Sequence, residues 1–241
     1  MPVSFAYLIV IVLLTLGAYF SIREKKLTLG GAIAAFCVGL TVFAGDGFRG
    51  LIMLTIFFLL GTLATSWEKE KKDQFKSKSD RATARNSGQV LANGGIPAIL
   101  GLMVVWFPHQ AGYFRLMMAG ALSSATADTL SSELGMLYGR WFFNIITFRK
   151  ARKGLDGVIS ISGLLIGIAG SAVIALIYCL GSFGSKGFGL IILAGTIGNL
   201  ADSVLGALYE RKGIIGNNMV NFLNTLVAAL SVWFCSLLIS L

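Results

Sequence analysis

Eight stretches of the chain are apolar enough and long enough to be read as helices crossing a bilayer: 4–21, 28–45, 50–66, 88–107, 114–138, 158–180, 187–209 and 217–240. A hydrocarbon core of ~30 Å takes about 20 helical residues. The fifth, seventh and eighth stretches carry polar residues and score weakly on hydropathy. Their length and their Ala/Gly/Leu background still favour spanning helices. The short linkers at 46–49, 108–113 and 181–186 fit tight hairpins between neighbours. The segment from Met1 to Phe20 lacks a basic leader and a small-residue cleavage site, and further apolar runs follow it, so it reads as a spanning helix. The expected fold is all-α: a polytopic membrane helix bundle of about eight transmembrane helices, forming a single integral membrane domain over 1–241.

Charge tests that layout. Odd-numbered loops hold Arg23, Lys25 and Lys26; Lys69, Lys71, Lys72, Lys76, Lys78, Arg81 and Arg85; Arg140, Arg149, Lys150, Arg152 and Lys153; and Arg211 and Lys212. Even-numbered loops hold only Arg49, Arg115 and Lys186. Basic residues concentrate in cytoplasmic loops, so this split of seventeen against three puts the odd loops in the cytoplasm and both termini on the non-cytoplasmic side. Composition agrees: 56% of the 241 residues are hydrophobic and 13% charged, where a soluble domain has about 25% charged. The net charge of +9 reads as membrane orientation, with a share in attracting phosphates, and not as a nucleic-acid footprint. Cys37, Cys179 and Cys235 lie far apart in apolar runs, with no metal or disulfide spacing, and are expected to be small core residues.

Three carboxylates fall inside predicted spans: Asp128, Glu133 and Asp202. An ionised carboxylate in a bilayer costs several kcal/mol unless it is paired, metal-bound or hydrated. Apart from Arg115 at the outer edge of segment five, no Lys or Arg lies within a predicted span, so a purely structural pairing needs a cation snorkelling in from a loop. At 100° per residue, Ser124, Asp128, Ser131, Ser132 and Gly135 share one face of segment five, and Thr126, Thr129 and Glu133 share another. A helix polar on two faces belongs in the middle of a bundle. In segment seven, Gly195, Gly198, Asp202 and Gly206 form one stripe near Asn199 and Ser203, so a backbone or ligand can approach Asp202 closely.

Two amide stripes accompany these helices. Asn86, Gln89 and Asn93 share a face at the start of segment four; Asn217, Asn221 and Asn224 share one at the start of segment eight, next to Asn218. Glu133, Asp202 and Asp128 lie roughly 8, 11 and 15 Å from the cytoplasmic ends of their helices at 1.5 Å per residue. The polar residues therefore converge on a cavity opening to the cytoplasm and rimmed by basic loops. Carboxylates in a hydrated pocket suit Mg²⁺, which prefers oxygen ligands and keeps several waters; Lys, Arg and Asn donors suit phosphates. A nucleotide or other polyphosphate entering from the cytoplasm would meet a lipid-soluble partner from the bilayer. The one histidine, His109, lies in an outer loop. Phosphoryl transfer to an existing phosphate needs no general base there, because the acceptor oxygen is already anionic.

The runs Arg85-Asn86-Ser87-Gly88-Gln89-Val90-Leu91-Ala92-Asn93-Gly94-Gly95, Ala127-Asp128-Thr129-Leu130-Ser131-Ser132-Glu133-Leu134-Gly135, Asp202-Ser203-Val204-Leu205-Gly206-Ala207 and Asn217-Asn218-Met219-Val220-Asn221 resemble one integral membrane family. It comprises plant phytyl-phosphate kinase and its uncharacterised bacterial, archaeal and animal homologues. The resemblance covers roughly 25–240 in order. It implies an enzyme that converts an isoprenoid monophosphate to its diphosphate with CTP as donor. The family's glycine-rich Gly-x-x-Gly-Gly-x-Ser stretch here reads Gly154-Leu155-Asp156-Gly157-Val158-Ile159-Ser160, so Asp156 stands in a plausible anion-binding turn.

The leading expectation is a Mg²⁺-dependent isoprenoid-phosphate kinase of a bacterial or archaeal plasma membrane, its active site facing the cytoplasm. Asp128 and Asp202 hold the metal, with Glu133 sharing it or standing behind it. Arg85 clamps a phosphate. Asn86, Gln89, Asn93, Asn217, Asn218 and Asn221 bind phosphates or base, with Ser124, Thr129, Ser132, Asn199 and Ser203 lining the site. The rival is a secondary transporter, which also uses intramembrane carboxylates and glycine-rich helices; against it, the polar residues cluster in one half of the membrane. A lipid scaffold without chemistry is the third option.

Overall fold

The computed structural model describes residues 3–75, 84–180 and 186–238. Its elements are α1 (Val3–Arg23), α2 (Leu29–Ser66), the short α3 (Lys69–Asp73), α4 (Ser87–Trp106), α5 (Ala111–Tyr138), β1 (Phe142–Asn144), β2 (Val158–Ser160), α6 (Ile161–Leu180), α7 (Lys186–Leu205) with a π-helical turn (Gly206–Glu210), and α8 (Asn217–Leu238).

α2 is drawn as one helix of 38 residues, but its backbone reverses at Gly47, where φ is 61° and ψ is −147°. Only glycine takes that conformation without strain. The reversal is visible in the neighbours. Gly31 and Gly61 both lie against Arg85, whereas Gly45, between them, lies against Gly101 of α4. The arms 29–46 and 48–66 therefore run antiparallel, and Lys26 Nζ donates to Ser66 Oγ at 3.0 Å across their open end. At the turn Arg49 grips Asp46 with two bonds of 2.6 and 2.9 Å, and Arg115 Nε lies 3.5 Å from the same carboxylate. The 46–49 linker is thus the tight hairpin its length predicts. Pro108–Gln110 forms a 3₁₀ turn between α4 and α5. The 181–185 linker and Lys76, Lys78 and Arg81 lie outside the described residues.

With α2 counted as two arms, the described residues hold eight long helical rods. Six helices are long and apolar enough to cross a membrane: α1, α2, α4, α6, α7 with its π-turn, and α8. α5 is not among them, and its position explains why. Leu116 to Ala127 are buried without a break, Ser123, Ser124 and Thr126 included. The helix that is polar on two faces occupies the centre of the bundle, packed by α2, α4, α6, α7 and α8. Small residues bring the surrounding helices close: a methyl on Gly135 of α5 would lie 2.7 Å from Gly163 Cα of α6.

Two features depart from expectation. Residues 158–160, assigned to the sixth span, form β2, which pairs antiparallel with β1, Phe142 opposite Ser160. The helix begins at Ile161 because Ser160 Oγ accepts from Gly163 N at 3.1 Å and caps it. The cysteines are not fully buried as expected: Cys37 is exposed, Cys179 is half-buried, and Cys235 is half-buried against the edge of the core. On a bundle in lipid, the outward face is as apolar as the core, so an apolar run does not mark its inner side.

Candidate functional site

The glycine stripe of α7 faces α5. A Cβ on Gly198 would overlap Ser124 Oγ, and one on Gly195 would overlap Ser123 Oγ and Ser171 Oγ. That close crossing lets the Asp128 and Asp202 carboxyls meet and share a hydrogen bond. From α8, Asn224 Nδ2 donates to Asp202 Oδ1 at 2.7 Å. Asn224 is fully buried, and Ser124 Oγ donates to its Oδ1 at 3.2 Å, which fixes the way the amide faces. Two carboxylates in contact repel unless a proton or a cation lies between them. The donor set, two carboxylates oriented by an amide, is all oxygen toward the gap and suits a hard divalent cation that keeps water ligands.

A second pair of acids stands beside the first. Past Asp202, α7 widens into the π-turn, a feature frequent at functional sites. A methyl placed on Gly206 would lie 3.5 Å from Asp156 Cβ and 3.7 Å from Glu210 Oε2. Asp156 and Glu210 therefore flank the turn that follows Asp202, and each acts electrostatically on one of the two aspartates. The glycine-rich stretch docks there through Gly157, whose φ is 73° and where a Cβ would lie 2.7 Å from Ala207 N. The sequence reading missed Glu210, which counted as a loop charge. Its signal was the spacing Asp202, Gly206, Glu210, every fourth residue on one face.

Glu133 has another partner. Lys72, on α3, is fully buried; its Nζ lies 2.6 Å from Glu133 Oε2 and donates to the carbonyls of Ala64 at 2.6 Å and Thr65 at 3.0 Å. This is the cation snorkelling in from a loop that a structural pairing requires. Glu133, expected to share the metal or to stand behind it, is thus tied to α3, and among the described residues no three acidic, histidine or cysteine side chains converge on one point.

The starts of α4 and α8 pack together, with Asn218 Nδ2 against Gly88 and the Phe222 ring against Gly95. Part of each stripe serves the helices themselves. Asn86 Oδ1 accepts from Gln89 N, and Gln89 Oε1 from Asn86 N, both at 3.0 Å, a reciprocal cap that starts α4. Asn221 Nδ2 donates to Asn217 Oδ1 at 3.1 Å. Asn93 Nδ2 donates to Gln89 O at 3.1 Å, while its buried Oδ1 meets no protein donor among the described residues. Thr129, Ser132 and Ser203 hydroxyls bond back to carbonyls of their own helices. Asn199 is buried with its Nδ2 against Gly167 of α6. Arg85 is held by backbone pairing with Lys26 and Thr28. Its guanidinium lies beside Gly61 and Thr129, over the Phe58 ring. Burial lowers its pKa from the usual arginine value, against the raising effect of Glu133.

The sequence profile of the family described as integral membrane protein DUF92 matches residues 12–229. An uncharacterized membrane protein of Methanocaldococcus jannaschii is 38% identical over 216 residues, covering 86% of this chain and 85% of its own. Protein VTE6, chloroplastic, of Arabidopsis thaliana is 28% identical over 205 residues, covering 82% of this chain and 62% of the plant protein. An uncharacterized membrane protein of Synechocystis is 28% identical over 209 residues, covering 86% and 81%. No solved structure matches.

Proposed function

We propose, for a chain that belongs to the DUF92 family of integral membrane proteins, that it is a kinase converting an isoprenoid monophosphate to its diphosphate, with CTP as donor and Mg²⁺ as cofactor. The family is that of plant phytyl-phosphate kinase. The observation that carries the reading is the meeting of Asp128 and Asp202, with Asn224 bonded to Asp202 at 2.7 Å. These two carboxylates would hold the metal, which when bound neutralises phosphate charge. The protein's share of the work is orientation and charge. Asn224 and Ser124 fix Asp202. The amides from Asn217 to Asn224 form a ladder about 10 Å long, at 1.5 Å per residue, from the helix start to the carboxylates. Arg85, beside Thr129 of α5, would take a phosphate, and the open Oδ1 of Asn93 would accept from the nucleotide. Anionic acceptor and donor need no base, so positioning and electrostatics carry the rate.

In this reading the bundle crosses the plasma membrane with eight spans, both termini outside and the site open to the cytoplasm. The two arms of α2 and the central α5 supply the spans that hydropathy alone leaves out. The test is an assay of the purified protein with radiolabelled nucleotides, Mg²⁺ and prenyl monophosphates of several lengths. Label appearing in a prenyl diphosphate with CTP supports the reading. No diphosphate with any nucleotide overturns it.

A further inference from the structure

The segment between α5 and α6 is a small sheet with an unusual outer face. β1 pairs with β2 on one side and with residues 149–151 on the other, through Asn144 N to Arg149 O and Ala151 N to Phe142 O, both 3.0 Å. The connecting turn is fixed from within: Asn144 Oδ1 accepts from Ile146 N at 2.9 Å and Thr147 N at 3.0 Å. Phe148 then takes a φ of 53°, a backbone conformation that bulky residues rarely adopt. Its ring is 76% exposed, and Trp141 at the base of β1 is 75% exposed. Phe142 and Phe143 of the same strand are half-buried on its two faces, and the Phe143 ring stacks with Phe148, centroids 6.4 Å apart, while Phe148 and Trp141 stay exposed.

The charge around those rings has one sign. Arg149, Lys150 and Arg152 are exposed next to Phe148, and Arg140 next to Trp141. None of the four makes an ion pair among the described residues. Trp141 stands three residues beyond the end of α5, within about 10 Å of it. At that end Trp67 Nε1 donates to Tyr138 Oη at 2.9 Å, both rings exposed, as in the aromatic belt that marks a membrane interface. Aromatic rings at headgroup level with basic side chains interleaved are the pattern that binds anionic lipid surfaces.

We infer that the β1 hairpin is a docking surface for anionic phospholipid headgroups in the leaflet at the basic end of the bundle, with Trp141 and Phe148 in the headgroup layer and the neighbouring cations on the phosphates. The inference does not depend on the proposed kinase activity.

The test uses the full chain in nanodiscs, with Trp67, Trp106 and Trp233 changed to Phe so that Trp141 alone fluoresces. The discs hold equimolar phosphatidylcholine and phosphatidylglycerol, one or the other brominated high on its acyl chains. Brominated phosphatidylglycerol should quench Trp141 at least about twofold more than brominated phosphatidylcholine. The preference should vanish at ~0.5 M KCl and in the Arg149→Gln/Lys150→Gln/Arg152→Gln variant. The salt arm keeps the result decisive if that variant folds poorly. Equal quenching by both lipids overturns the inference. So does quenching by aqueous iodide alone, which puts the hairpin in water, or by neither, which means a protein covers it.

Discussion

Lys72 and Glu133 stand 61 residues apart in sequence, and the ammonium of one lies 2.6 Å from the carboxylate of the other with the lysine side chain closed off from solvent. Removing one partner of a buried pair leaves an uncompensated charge at a cost of about 3–5 kcal/mol. Lys72→Met should therefore lower the unfolding midpoint in detergent sharply. Lys72→Met/Glu133→Leu should recover most of the loss and keep its catalytic rate, because Glu133 then has a structural task. A double variant that is stable but inactive would return Glu133 to the chemistry.

Asn224 links α8 to the carboxylate pair, and it is held by Ser124. Partners that orient a metal ligand are typically worth about 10–100-fold in activity or metal affinity. Asn224→Ala should lose turnover in that range and need more Mg²⁺ for half-maximal rate. Ser124→Ala, one bond further away, should lose less. Steady-state rates across a Mg²⁺ titration make the comparison.

Gly157 meets two demands at once, a φ of 73° and a backbone contact on Ala207 that leaves no room for a Cβ. Gly157→Ala should detach the 154–157 loop from the π-turn and lower both stability and turnover. Ala207→Gly removes only the side-chain part of the clash and leaves the backbone contact and the φ strain, so the double variant should recover little. Unfolding midpoints of the two singles and the double measure this coupling.

Gly47→Ala isolates backbone strain, since nothing lies within 4 Å of a Cβ there. Its φ of 61° and ψ of −147° should cost an alanine about 1–3 kcal/mol. A lower unfolding midpoint with unchanged turnover is the expected result, because the hairpin lies at the far end of the bundle from Asp128.

Most of this architecture is legible in the sequence, and the reasons are physical. Lipid demands internally satisfied backbones, so apolar runs translate directly into helices, and the polar faces of α5 require it to be central. The meeting of Asp128, Asp202 and Asn224 follows from helical spacing plus a glycine stripe. What the sequence leaves hidden depends on loops. Lys72 reaches back into the bundle from outside a span, Asp156 arrives on a turn whose path depends on Gly157, and β1 and β2 are three residues each, too short for any periodicity. The Asn86–Gln89 pair shows the opposite hazard: a stripe that suggests ligand binding is, at its first turn, a helix cap.

The proposed metal-bearing role of Asp128 and Asp202 is tested most directly by Mn²⁺ binding to the purified protein, followed by electron paramagnetic resonance with and without CTP. Wild-type protein should bind Mn²⁺, more tightly with nucleotide present, and Mg²⁺ should displace it. Asp128→Asn/Asp202→Asn should abolish that binding while the protein stays folded. Equal Mn²⁺ binding by wild type and the double variant would contradict a metal site between these two helices.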